Sequence, residues 1–425
     1  MTGRRGLTFT RFDHAAFLTF FTYASATVVI PVALVSLAGE LDFDLAAGGM
    51  AAGGALNLGR NALMVVSMLA CGFLAGRWGK RRTFAHAVLL MGGGIGLCAL
   101  APAYGLLFVA LSVAGIGEGI IEGLATPFVQ DLHPDEPGRY INFAHAFWPI
   151  GVLSTVLAAG ALLASGVSWR WILGAIAVLS VVPAAVLLMP YRDGRRFPEH
   201  PEPLPWRTVL GHAVVILRRP RFWLFFAAMF VAGGGEMGLT YWSASYIQLY
   251  FGGSAWTGGA GTACFAAGMM VGRTGWGYLI RQHQLPALVV GSALAGTAVT
   301  LVFPVLNHLW IFLGLLFVAG LATAPFWPSV QAYSADRLPG TDTTMLFVLL
   351  SCAGVPGCGF MSWLMGYVGN RSGLDQAFYL VPGCFLVLAV LIGADWLQAR
   401  RGERAAGGRG SAVRHQPASQ RAEGA

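Results

Sequence analysis

The sequence predicts an all-α integral membrane protein with twelve transmembrane helices in two pseudo-symmetric six-helix bundles. Three observations carry that expectation. Of the 425 residues, 56% are hydrophobic and only 11% charged, whereas soluble domains carry roughly a quarter of their residues as charges. Apolar runs long enough to cross a bilayer recur from end to end. The second six runs also repeat features of the first.

In chain order the expected spans are 14–38, 48–75, 84–102, 104–130, 141–166, 170–190, 221–250, 256–280, 286–306, 309–331, 344–369 and 377–398. Each covers about 30 Å of hydrocarbon at about 1.5 Å per residue. Arg4, Arg5 and Arg11 precede the first run, and Ser36-Leu37-Ala38 at its end resembles a cleavage site. A run from His14 to Ala38 exceeds the roughly 7–15 residues of a signal h-region, so it is read as a retained span.

The formal net charge is +8, but the basic residues sit in short segments between apolar runs, where they report topology and not a nucleic-acid partner. Arg77, Lys80, Arg81 and Arg82, then Arg139, then Arg192 to Arg221, then Arg281 and Arg337 alternate with segments holding little beyond Arg170 and Arg371. Both termini are therefore expected to be cytoplasmic. Lys80 is the single lysine, which suits a high-GC bacterial gene and an inner-membrane address. The six cysteines all fall in apolar runs without metal or disulfide-framework spacing, and read as small buried thiols.

The expected domains are an N-terminal bundle (1–190), a cytoplasmic linker (191–220) with a short helix around Trp206 to Leu217, a C-terminal bundle (221–398) and a disordered basic tail (399–425). Gly123-Leu-Ala-Thr-Pro-Phe-Val-Gln130 recurs as Gly320-Leu-Ala-Thr-Ala-Pro-Phe-Trp-Pro-Ser-Val-Gln331, and Trp148-Pro149 has a counterpart in Val355-Pro356. Two pairs at similar offsets favour duplicated halves with a site between them near the midplane.

After the second span stands Gly72-Phe-Leu-Ala-Gly-Arg-Trp-Gly-Lys-Arg-Arg82. It resembles the signature loop of the major facilitator superfamily, usually Gly-x-Leu-Ala-Asp-Arg-x-Gly-Arg-Arg. The resemblance implies a gating role for Gly72, Arg77, Gly79, Lys80 and Arg81, with glycines at close helix approaches and basic residues clamping helix ends. Gly76 stands where the family has Asp, so the clamp's carboxylate is absent or supplied elsewhere. Gly272-Arg273-Thr-Gly-Trp-Gly277 resembles a degenerate second copy, which puts Arg273 in the same class.

The stretch Gly115 to Gly151 is similar to the fucose permease type of sugar:proton symporter in that superfamily. Glu122 matches its acidic position in span four, with Gly123-Leu-Ala-Thr-Pro127 after it and Asn142 at the head of span five. Thr126 replaces the family's Asn, and Thr27 replaces a span-one Asp, which leaves the coupling route and the sugar identity open.

A carboxylate at membrane depth costs at least about 2.5 kcal/mol, so Glu118 and Glu122, one helical turn apart, should face a cavity. Either is a candidate for proton exchange, the alternative being a neutral carboxyl bonded to a neighbouring helix. Arg60, flanked by Asn57 and Asn61, lies about 18 Å along its helix from Gly72. It needs an anion, either Glu118 or Glu122 or the solute, unless it reaches the outer headgroups. Glu236 follows Gly233-Gly234-Gly235, a run expected to loosen the helix, and precedes Tyr241-Trp242, which could stack on a sugar face or planar ligand. His145, Trp148 and Trp327 are further cavity candidates, with helix packing as the rival, and Phe326-Trp327-Pro328 fits a hinge.

His133 to Glu136 lacks further ligands for a metal, and neither a Walker-type loop nor His-Glu-x-x-His occurs. The sequence therefore calls for no cofactor or metal and is not that of an enzyme. The expected function is a monomeric secondary transporter that imports a small polar organic solute, such as a sugar or related metabolite, with a proton. The alternatives are a drug or metabolite:proton antiporter and a non-transporting sensor on the same fold.

Overall fold

A computed structural model describes residues 8–134, 137–189 and 206–414. Fifteen α-helices and no strands occur among them. The first bundle comprises α1 (Arg11–Glu40), α2 (Met50–Trp78), α3 (Lys80–Ala99), α4 (Tyr104–Leu132), α5 (Pro137–Ala164) and α6 (Trp169–Leu188). After a short α7 (Trp206–Leu217) come α8 (Pro220–Tyr250), α9 (Ala255–Leu279), α10 (Leu285–Leu301), α11 (Leu309–Thr323), α12 (Phe326–Arg337), α13 (Thr343–Ser372), α14 (Leu374–Ala377) and α15 (Leu380–Arg414).

Local chemistry sets several of these boundaries. Thr10 and Asp13 close a capping box that starts α1, and the Asp342 carboxylate accepts from Met345 N at 2.7 Å to start α13. Gly79 takes φ +82 where α2 turns into α3, a conformation open to glycine and strained for other residues. The expected span 309–331 is broken into α11 and α12 at Ala324-Pro325, just ahead of Phe326-Trp327-Pro328.

Among the described residues eleven helical segments are long and apolar enough to cross a membrane. The twelfth expected span is the 25-residue α9, whose apolarity is diluted by Gly258, Gly259, Gly261, Gly268 and Gly272. The segment 399–414, expected to be disordered, continues α15 as helix. A preformed helix needs no new nucleus, and the alanine, arginine and glutamate of 399–406 propagate it. Most of the expected linker, residues 190–205, lies outside the described residues, as do 415–425.

The two halves repeat one packing scheme. In the first, α1 packs on α5 and α6, α2 on α4, and α3 on α6; in the second, α8 packs on α13 and α15, α9 on α11, and α10 on α15. They meet along α2 with α13, the symmetry-related α5 with α9, and α1 with α8. Small residues let these seams close, which matters where lipid supplies no hydrophobic drive between helices. A Cβ on Gly54 would stand 2.3 Å from the Ser362 carbonyl oxygen, and one on Gly259 2.4 Å from that of Val156.

Among the described residues, the direct hydrogen bonds between halves lie toward the end bearing the 41–49 loop. They run from Met50 N to Asn370 Oδ1 (2.8 Å), from Asn57 Nδ2 to Ser362 Oγ (2.9 Å) and from Tyr241 OH to the Gly53 carbonyl (2.6 Å). Gly54→Val should therefore lower the unfolding temperature in detergent, with overpacking costing about 1–3 kcal/mol. Gly72→Val, where a Cβ meets nothing within 4 Å, should leave it nearly unchanged.

Candidate functional site

Two polar clusters stand out, one within the first bundle and one at the interface between the halves, and α4 contributes to both. In the first, Arg60 of α2 donates from Nε to Glu118 Oε2 at 2.6 Å and from Nη2 to Oε1 at 2.5 Å. Their side chains are 4% and 0% exposed. The same guanidinium donates to the Thr27 carbonyl (3.3 Å) and hydroxyl (3.2 Å) on α1. Gly115 and Gly119, on either side of Glu118, bring α4 against α2: a Cβ on them would stand 2.3 Å from the Arg60 carbonyl oxygen and 2.0 Å from that of Met64. A bidentate pair with every donor group engaged is the arrangement in which buried charges are tolerated. Thr27, where the fucose permease type has Asp, is a hydroxyl acceptor for an arginine whose counter-ion is Glu118.

One turn along α4, Glu122 is half-buried, with Tyr23 of α1 nearby. A further turn on, Thr126 shares a 3.0 Å hydrogen bond with His145 Nε2, and the exposed His145 ring lies 4.5 Å from that of Phe20. The second half supplies Glu236 from α8 and Arg273 from α9, whose Nη2 stands 3.5 Å from Glu236 Oε1. The Arg273 guanidinium lies over the Trp148 ring of the first half at 5.9 Å. Glu122, His145 and Glu236 are all within electrostatic reach of Arg273. Glu236, Arg273 and Trp148 thus meet across the interface between the halves, with Glu122 and His145 within electrostatic range on the first half.

The other candidates lie elsewhere. Asn57 and Tyr241 form the seam bonds described above, and the fully buried Trp242 donates to the Ser362 carbonyl at 2.9 Å. The Tyr241-Trp242 aromatics therefore pack between α2, α8 and α13 and offer no open stacking face. Asn61 is buried with its amide nitrogen unpartnered among the described residues. The half-buried Trp327 packs on Gly354, where a Cβ would meet its ring at 2.4 Å. The Asn142 side chain lies outside the described residues. The glycine run 233–235 does not loosen α8, which is continuous: a Cβ on Gly233 would stand 2.6 Å from the Gly354 carbonyl oxygen.

In the signature loop, Asp131 at the end of α4 supplies a carboxylate to Lys80 at 2.5 Å, with Gly76 where the family has Asp. Arg81 donates to the Leu187 carbonyl at the end of α6, where a cation is also favoured by the helix dipole. Arg77 is exposed, and Gly72 makes no close helix contact. Arg273, placed with the gating residues by its motif, instead faces the space between the halves. Sequence reasoning missed Tyr23, one turn before Thr27 on α1. It also missed Asp395, which accepts from Arg337 Nε (2.7 Å) and Tyr333 OH (2.7 Å) and pairs with Arg221 (3.0 Å). A single Asp within an apolar run was the available signal for the latter.

Two symmetric helical bundles of membrane-spanning length, with ionisable residues gathered between them, define a multi-pass membrane transporter. The chain belongs to the Major Facilitator Superfamily, whose family model matches residues 15–303 and 259–420. It is 26% identical over 250 residues to the drug efflux pump JefA of Mycobacterium tuberculosis, covering 55% of this chain and 46% of that protein. It is 31% identical over 117 residues to plastidic glucose transporter 4 of Arabidopsis thaliana, covering 27% and 21%. The matches thus span less than half the length of these curated relatives.

Among solved structures, the fold resembles that of the D-xylose-proton symporter, with a TM-score of 0.71, 15% identity and coverage of 90% of this chain and 96% of that one. For a bacterial homologue of the human lysosomal transporter Spinster, inward-facing and occupied, the values are 0.71, 16%, 92% and 96%. For the E. coli fucose:proton symporter they are 0.63, 16%, 89% and 97%.

The buried pair generates a stability prediction. Glu118→Gln should strand the Arg60 charge and destabilise the protein by about 3–5 kcal/mol, whereas Arg60→Met combined with Glu118→Leu should cost much less. Chemical or thermal unfolding of the three proteins in one detergent measures the difference.

Proposed function

We propose that this transporter imports a small polar organic solute together with a proton, by rocking of its two bundles about the α2·α13 and α5·α9 seams. The observation that carries the reading is the contrast between two carboxylates on one helix face. Glu118 is locked by Arg60, while Glu122 is half-buried, has no such ion pair among the described residues and lies within electrostatic reach of an arginine of the opposite half. Glu122 is therefore assigned as the proton site and Glu118 as a structural counter-ion. With both termini cytoplasmic, the seam bonds toward the 41–49 end would hold the outer side closed.

The proton-coupled reading also draws on the fold shared with the xylose and fucose symporters. The likeness to JefA supports a second reading, proton-coupled efflux through the same residues. Proteoliposomes under an imposed pH gradient, offered a panel of sugars, organic acids and hydrophobic cations, separate the two. Accumulation driven by the inward proton gradient supports import, and counter-directed flux supports efflux. Glu122→Gln should abolish accumulation while preserving part of the solute exchange measured without a gradient. Unchanged accumulation in that variant would overturn the assignment.

A further inference from the structure

We propose that the solute carries a carboxylate that seats on Arg273, with its body against the Trp148 ring, and crosses in company with the proton held by Glu122. The inference deepens the proton-coupled reading above and rests on it. Its basis is the contrast between the two arginines that face the interface between the halves. Arg60 is saturated, with Nε, Nη1 and Nη2 all donating. Arg273 has a single long contact, 3.5 Å to Glu236, its side chain is 36% exposed, and its buried Nε is unpartnered among the described residues. A guanidinium is a planar fork of five donors that matches a carboxylate bidentately. Here that fork is under-used.

The surroundings narrow the ligand further. Trp148 lies beneath the guanidinium at 5.9 Å, and past it a crevice is lined by Val152, Phe265, Met269 and Met270. The crevice itself, about 20 Å³, admits only an apolar edge of the ligand beside the anionic group. Charge balance then links the solute to the proton. With Arg60 neutralised by Glu118, the unloaded site holds two carboxylates, Glu122 and Glu236, and the His145 imidazole beside one guanidinium. A bound anion adds a third negative group. If Glu122 takes a proton as the anion binds, the loaded site carries the same net charge as the empty one. A cationic solute would be repelled by Arg273 and would compete with the proton, and a neutral solute would leave the Nε donor unmet.

The experiment uses the full chain in proteoliposomes, with glucuronate and gluconate as anionic probes and glucose and glucosamine as matched neutral and cationic ones. The carboxylates should accumulate under an acid-outside gradient, at a rate unaffected by a valinomycin-imposed membrane potential, because one negative and one positive charge move together. Arg273→Gln should reduce that uptake at least about tenfold, and Arg273→Lys should retain part of it, both compared at unchanged unfolding temperature. Potential dependence is read on the native protein, so the outcome does not hinge on a variant's folding. Carriage of glucose or glucosamine with neither carboxylate, uptake of carboxylate driven by potential, or no flux of all four overturns this inference. The proton-coupled reading fails separately, if the wider solute panel shows no gradient-driven flux or Glu122→Gln leaves accumulation intact.

Discussion

The structure depends on finding a partner for each charge that the helices carry into an apolar surrounding. Arg60 and Glu118 set the pattern. An arginine cannot readily shed its proton, and a lone carboxylate at that depth is costly, so each is tolerable only with the other at bonding distance. Meeting that condition dictates local structure: Gly115 and Gly119 remove the side chains that would hold α4 away from α2, and Thr27 brings α1 to the remaining guanidinium donors. Three helices of the first bundle are thereby held in one register by one ion pair.

The same rule operates at the helix ends. Lys80 meets Asp131 where α2 and α3 join, Asp395 is held by Arg221, Arg337 and Tyr333 across α8, α12 and α15, and Arg170 meets Glu40 at 2.8 Å while capping the carbonyls of Ala99 and Ala101. Each pairing joins helices within one half, so each bundle can move as a unit. The bonds between halves are of another kind: neutral amides, hydroxyls and carbonyls along α2, α8 and α13. Neutral hydrogen bonds contribute about 0.5–1.5 kcal/mol each, less than those to charged groups. Strong contacts within bundles and weak ones between them are what two rigid bodies that must part and rejoin require.

The helical spans were legible because apolar runs of that length have few other uses, and several boundaries follow from caps and prolines visible in the sequence. Glu118, Glu122 and Arg60 were legible as charges needing explanation, and a glutamate was one of the partners the sequence left open for Arg60. What could not be read was which face each helix turns inward. Asn57, Tyr241 and Trp242 have polar or aromatic chemistry suited to a ligand, yet they sit where two bundles touch, a fact set by the relative rotation of α2, α8 and α13. Arg273 carries the motif of a loop in the first half, but lies inside its own span, where the rotation of α9 turns it toward Trp148. The helix at 399–414 was missed because composition alone does not register that a long helix already runs into it.

The packing symmetry of the halves and the asymmetry of their charges together explain why the chemistry gathers where it does. α2 and α9 occupy equivalent places and both carry an arginine, but the partners differ. Arg60 meets Glu118 on a helix of its own bundle, at bonding distance, and is fixed. Arg273 has Glu236 on its own bundle at a looser 3.5 Å and lies opposite Trp148 and Glu122 of the other. A charge bound tightly within one body cannot report on the position of the second body. One held loosely at the interface can, since its energy changes as the halves approach or separate, and changes again with the charge state of Glu122. The duplicated fold supplies the two bodies, and the unequal pairing of their arginines supplies a group that is sensitive to both.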